Sequence, residues 1–349
     1  MERISRILPS DRLAYDAAQR QWDSIAKPLG SFGTLEQMIC KIAAVQGTPE
    51  VHIDRRTAVI FCGDHGITAE GVTQCGSEVT AVCAREIAEG RSNVNALAAA
   101  YHVQVTAVDT GIRDAVPSAA LLRRHIADGT RNFTQEPAMT EAQTVQAIRT
   151  GMELAEHYKA QGTDILIAGE MGIGNTTAAA ALAAVLLDLP PEAVTGRGSG
   201  LSSEGLLRKI ETVRRGIALH HPDKNNPLHL LQTLGGLEIA GMTGLYLGAA
   251  YYQLPVILDG VISAAAAAVA YQMNPRCGDY MLASHCSEEP AAKGLLRMMH
   301  LDPVIDAGLR LGEGTGAMLL LPLLDGALAL YRNAHRFAET GIERYTDQK

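Results

Sequence analysis

The chain has 349 residues, 47% of them apolar, and a net charge of −8 with a pI near 5.8. That length and apolar content suffice for one large α/β core or two domains. The acidic balance argues against a nucleic-acid or anionic-membrane partner and leaves small molecules or further copies of the chain.

Helix is expected first, over about 10–47, with Ser10 and Asp11 as caps and Trp22 as a core residue. Short β-branched runs then alternate with alanine-rich, helix-period segments. The strands are "TAVIFCGDHG" at 57, "VQVTAVDTG" at 103, "DILIAGEMG" at 163, "PVILDG" at 255 and "DYMLASH" at 279. The helices fall at about 76–100, 140–161, 175–188, 203–220, 228–251, 260–272, 288–300 and 315–335. Such alternation calls for βαβ units and a mostly parallel sheet covered on both faces. Helix alone at both ends suggests a small helical subdomain built from residues 1–30 and 325–349, around an α/β catalytic domain at 31–324.

The N-terminus, "MERISRILPSDRL", lacks an apolar signal core, and the longest apolar run, from Ala317, is broken by Pro322 and Asp325, so neither export nor membrane insertion is expected. Cys40, Cys62, Cys75, Cys83, Cys277 and Cys286 include no C-x-x-C pair, which suits reduced thiols in a cytoplasm. Neither "CGDHG" nor "SHCSEE" has the spacing of a familiar metal site, and no metal is expected.

The residues at the strand ends carry the chemistry. Asp64, Asp109, Glu170 and Asp259 each stand close to a glycine at a strand end, and Ser284 with His285 ends the fifth run. In a parallel sheet these positions meet at the carboxyl edge, where open α/β sheets bind ligands. "GEMGIGNTT" nearly spells a P-loop, but Asn175 stands where lysine belongs and Glu170 adds a negative charge. Amides from Gly172 to Thr176 can hold one phosphate, while Glu170 suits ribose hydroxyls or a cationic ring. "LRLGEGTGA" places a second carboxylate, Glu313, among Gly312, Gly314 and Gly316 at a helix start. An N-cap role explains an acid there but not three glycines around it, so Glu313 is a candidate general base.

"KPLGSFGTLE", "GDHGITAEGV", "GEMGIGNTT", "LGGLEIAGMTG", "PVILDGVISAAAA", "SHCSEE" and "RLGEGTGA", in order over most of the chain, resemble the nicotinate mononucleotide:5,6-dimethylbenzimidazole phosphoribosyltransferase family of cobamide (vitamin B12) synthesis. The resemblance implies a Rossmann-like sheet with a small helical domain, a dimer, and no cofactor beyond the substrate, whose single phosphate and pyridinium match the loop. It implies that Glu313 takes the proton of the incoming base and that Glu170 lies near the ribose. It places Gly172, Gly174, Asn175, Thr176, Lys209, Asp259, Gly260, Ser287, Gly312 and Gly314 at the nucleotide and its phosphate. Asp64, Gln74, Cys75, Cys83 and Leu311 fall at the acceptor pocket.

One departure stands out. Cys75 and Gly76 replace a Ser-Pro pair and Cys83 replaces a glutamine of the family pattern, so a less polar pocket is expected, suited to phenol or p-cresol and to a heterodimer of homologous chains. The competing readings are a non-catalytic subunit of such a heterodimer, a Mg²⁺-dependent phosphate enzyme and, weakest, a dinucleotide dehydrogenase, whose G-x-G-x-x-G spacing is absent. His65, His285 and Glu238 remain open between ligand contact and local hydrogen bonding.

Overall fold

The computed structural model describes residues 2–115 and 117–346. Met1 and residues 347–349, parts of the expected terminal segments, lie outside the described residues.

Each expected strand forms: β1 Arg56–Gly63, β2 Val103–Gly111, β4 Ile165–Met171, β5 Val256–Leu258 and β6 Met281–Ala283. The two-residue β3, Leu122–Arg123, has no sequence signature and was not expected. All pairings are parallel, in the order β3-β2-β1-β4-β5-β6. Successive side chains point to opposite faces. Val59 and Phe61 of β1 therefore join one apolar layer with Leu166, Ala168 and Leu258, while Ala58, Ile60 and Cys62 join the other with Ile165, Ile167 and Ile257. Burial on both faces explains the continuous apolar runs.

Four of the expected helices are each interrupted. Residues 10–47 split into Arg12–Ser24 and Thr34–Gln46 around "KPLGSFG"; 76–100 into Glu78–Ala88 and Asn93–Ala100 at Gly90, which has φ +80°. Residues 228–251 split at Gly235 and Gly236, and 315–335 at Pro322, which stands in the first turn of Leu321–Asn333. In every case a glycine or proline inside a helical period ended the hydrogen-bond ladder.

The helix Leu237–Tyr251 is buried from Leu237 to Ala250. It lies against Glu141–Ala160, whose start is fixed by a capping box between Thr140 and Gln143. A Cβ on Gly244 would run into the Ile148 carbonyl, and one on Gly248 would approach Ala155 Cβ to 2.8 Å, so the two helices cross in near backbone contact. At the chain ends, Trp22 packs on Phe32 and Tyr331, and Ile25 bridges to Arg336.

The strand order reverses between β1 and β4, and crevices for ligands form outside the carboxyl ends of strands at such a point.

Candidate active site

Two glycine loops meet beyond β4. Glu170 is the penultimate residue of that strand, opposite Phe61 of β1, and not part of the turn as its glycine neighbours suggest. The preceding Gly169 has no side chain because none fits: a Cβ there would lie 2.5 Å from Ile60 Cδ1 and 2.9 Å from Gly314 N. Bare backbone at Gly169 lets the "GEGTG" loop settle on the strand end. A Cβ on Gly312 would lie 2.8 Å from Glu170 Oε1, so the two loops are closely packed there as well.

Glu313 sits at φ +61°, a left-handed conformation costly for a residue with a side chain. Asp259, just past β5, holds it there. Its Oδ2 accepts from Gly314 N at 3.1 Å and its Oδ1 from Ala317 N at 3.0 Å. The sequence placed Asp259 at the nucleotide; it lines the same cavity, but both oxygens are committed to the loop that carries Glu313.

A cleft of about 250 Å³ opens between these loops, lined by Glu170, Glu313, Cys75, Cys83, Leu311 and Gly312, among others. Gly172, Gly174, Asn175, Thr176, Gly260, His285 and Ser287 line it as well. A wider, more open depression of about 1000 Å³ lies beside β3, between Arg123, Arg124 and helix Glu141–Ala160, and contains none of the strand-end carboxylates named above.

The two glutamates differ in setting. Burial pushes the Glu170 carboxyl up to about 8, the Asp259 charge adds to this, and the Asn175 amide, which donates to Oε2, opposes it. Glu313 is also raised above the ordinary carboxylate range by burial, against hydrogen bonds that include the Val94 amide 3.4 Å from Oε2. Val94 belongs to the first turn of Asn93–Ala100, a helix start hidden in sequence within a single expected helix. Burial lowers the His285 pKa, and its Nδ1 lies 2.9 Å from Ser284 Oγ.

A cationic corner adjoins the first loop. Lys209 is buried and donates to Thr176 Oγ1 at 2.8 Å; burial pushes its ammonium down to about 8, against the pull of Glu289. Over it lies "GRGSG", residues 196–200, a third glycine loop that sequence reasoning missed although its glycines precede a helix start as the others do. Arg197, Gly198 and Ser199 line the cleft, and Glu289 Oε1 accepts from Gly198 N at 2.8 Å. Two of the amides expected to face an anion are occupied: Ile173 N donates to Thr80 Oγ1 and Asn175 N to Gly172 O.

Several expected site residues face elsewhere. Asp64 does not line the cleft: its Oδ2 accepts from Arg113 N at 2.9 Å, because the carboxylate turns toward the backbone leaving β2. Asp109 likewise accepts from Ile112 N and pairs with His125. Of the four strand-end acids expected in one crevice, only Glu170 and Asp259 reach it. Gln74 donates to the Gly200 carbonyl and lies between Thr73 and Cys75, which do line the cleft. Gly314 contributes its amide to Asp259 instead of a surface to the cleft. "KPLGSFGTLE" is away from this cleft, organised by Glu36, which pairs with Lys27 at 2.5 Å and accepts from Phe32 N.

All six cysteines are free, and no group of three or more His, Cys, Asp or Glu arranged to hold a metal occurs among the described residues. No helix among them is long and apolar enough to cross a membrane.

Residues 7–342 match a family model described as "Phosphoribosyltransferase". The nicotinate-nucleotide–dimethylbenzimidazole phosphoribosyltransferase of Acetivibrio thermocellus is 38% identical over 333 residues, covering 95% of each chain. The enzyme of that name from Geobacter sulfurreducens is 40% identical over 342 residues, covering 98% of this chain and 97% of its own. Among solved structures, CobT from Thermus thermophilus superposes with a TM-score of 0.90 at 39% identity, covering 95% of this chain and all of that one.

Proposed function

The chain belongs to the nicotinate-nucleotide–dimethylbenzimidazole phosphoribosyltransferase family, and from that premise we infer that it transfers the phosphoribosyl group of nicotinate mononucleotide to 5,6-dimethylbenzimidazole. The products are nicotinate and an α-ribotide 5′-phosphate for the nucleotide loop of a cobamide. The observation that carries the reading is that Glu170, at the end of β4, and Glu313, on a glycine loop, line one cleft.

The phosphate sits against Thr176, Arg197 and Ser287, which line the cleft, with the buried Lys209 ammonium behind Thr176 Oγ1. One charged contact of this kind is worth about 1.5–3 kcal/mol. The bond between ribose C1′ and the pyridinium nitrogen breaks with its electron pair passing to that nitrogen, so nicotinate departs with a neutral ring and needs neither a proton nor a metal to leave. One benzimidazole nitrogen forms the new bond to C1′. Glu313 accepts the N–H proton of the other nitrogen, so no cationic product accumulates. A base with a raised pKa is matched to this work near neutral pH. Glu170 faces the ribose and the positive charge that C1′ gains as the bond opens.

Cys75, Cys83 and Leu311 wall the acceptor side next to Glu313, and two thiols there favour an acceptor with few polar groups. The acceptor range on this reading includes phenol and p-cresol, which attack C1′ through oxygen and give their O–H proton to Glu313. The enzyme works as a cytoplasmic dimer of this chain or of this chain with a homologue, a reading supported by the family resemblance and the free thiols. Assaying the purified chain with nicotinate mononucleotide and dimethylbenzimidazole, phenol or p-cresol tests it. Turnover of dimethylbenzimidazole with no phenolic product removes the wider acceptor range. Full activity in Glu313→Gln, whether of the chain alone or of an assembled pair, removes Glu313 as the base.

A further inference from the structure

His65 and Glu238 form a buried ionisable pair that the transfer reaction does not use. They are 1% and 0% exposed, and His65 Nε2 lies 2.6 Å from Glu238 Oε1. Each keeps one further buried atom, His65 Nδ1 and Glu238 Oε2, without a protein hydrogen-bond partner. A buried pair left partly unsatisfied is a poor source of stability, so its surroundings must explain it.

Those surroundings are the back of the first glycine loop. A Cβ on Gly172 would lie 3.4 Å from Glu238 Oε1 and 3.5 Å from Asn175 Nδ2. A Cβ on Gly174 would lie 3.0 Å from His65 Cβ, and one on Gly236 would lie 2.7 Å from Glu238 Oε2. The pair therefore abuts the loop at two points, Gly172 through Glu238 and Gly174 through His65. The Asn175 amide that donates to Glu170 starts one residue beyond Gly174. Glu238 itself is anchored in the first turn of Leu237–Tyr251, whose positive end favours a carboxylate.

We propose that His65 and Glu238 are positioning residues for the transfer reaction: the pair clamps the Gly172–Gly174 turn from behind, so that the Asn175 amide holds the Glu170 carboxyl at the reacting centre. This rests on the role of Glu170 given above. Groups that orient a functional side chain from behind, as the outer partners of metal ligands do, change activity about 10–100-fold when removed. In the full-length chain, Glu238→Gln and His65→Gln each lower kcat by about that factor, with KM for nicotinate mononucleotide within about threefold. In a Glu170→Gln background, Glu238→Gln lowers kcat by less than about a further threefold, since the group it positions is already gone. The Asn175 side-chain amide resonance, identified by its loss in Asn175→Ala, shifts in both single variants. That signal needs no turnover. An unmodified chain inactive with nicotinate mononucleotide therefore counts against the proposed function and leaves the pair to be judged by the resonance. An unmoved Asn175 amide, an unchanged kcat, or an undiminished effect in the Glu170→Gln background overturns the proposal. Loss of folded protein in both single variants, read by circular dichroism, assigns the pair to stability and overturns it too.

Discussion

Glu170 and Glu313 carry the same functional group, and burial raises both above the ordinary carboxylate range. With its pKa pushed up to about 8, the Glu170 carboxyl is mostly neutral at pH 7 in the free chain, and a bound pyridinium draws it toward the ionised form. Binding of nicotinate mononucleotide at neutral pH should therefore release protons from Glu170. Calorimetry in two buffers of different ionisation enthalpy measures this release, which falls in Glu170→Gln; an equal release in both chains contradicts it. The same shift bears on stability. A carboxyl raised from 4.5 to about 8 binds its proton more tightly in the folded state, so its contribution is full below the unfolded value and declines as pH rises through the folded one. Melting measured at about pH 5 and about pH 8.5 should show Glu170→Gln losing less stability on the alkaline side than the unmodified chain. Equal losses would contradict it. On the proposed placement of the phosphate, substitution of Lys209 by methionine removes the buried charge that donates to Thr176 behind it. KM for nicotinate mononucleotide should rise about 10–100-fold, with a smaller change in kcat.

At the scale of elements, the site depends on two loops lying in backbone contact. Gly169→Ala drives a methyl group into Ile60 and the Gly314 amide. Overpacking of this kind costs about 1–3 kcal/mol, seen as a lower Tm, and kcat falls because Glu313 is displaced. Retained Tm and kcat would show that the loops do not need this contact. Some of this was legible in sequence. The strands could be read because burial on both faces leaves continuous β-branched runs, and Glu170 and Glu313 because glycines surround them. Helix breaks at Gly90 and Gly235 were hidden because the apolar period runs through them. The pairing of His65 with Glu238 was also hidden, because residues 173 apart in sequence meet only once the sheet has formed. Asp64 and Asp109 show the limit of positional reasoning: a backbone amide nearby turns each carboxylate away from the crevice, whereas the amides that hold Asp259 belong to the Glu313 loop and keep it there.

At the scale of the whole molecule, one parallel sheet brings loops from both halves of the chain to a shared cleft. Electron-pair departure to the pyridinium nitrogen needs no metal, so turnover should survive EDTA; activity restored only by a divalent cation would contradict that route. Sedimentation should give about twice the 37.1 kDa chain mass, alone or with a homologous partner. The most direct measurement is the product balance when the purified protein is incubated with nicotinate mononucleotide and 5,6-dimethylbenzimidazole. The account predicts equal amounts of free nicotinate and of the α-ribotide 5′-phosphate of the base, with both lost in Glu313→Gln. Nicotinate released without a nucleotide of the acceptor, or a nucleotide formed undiminished by Glu313→Gln, would contradict it.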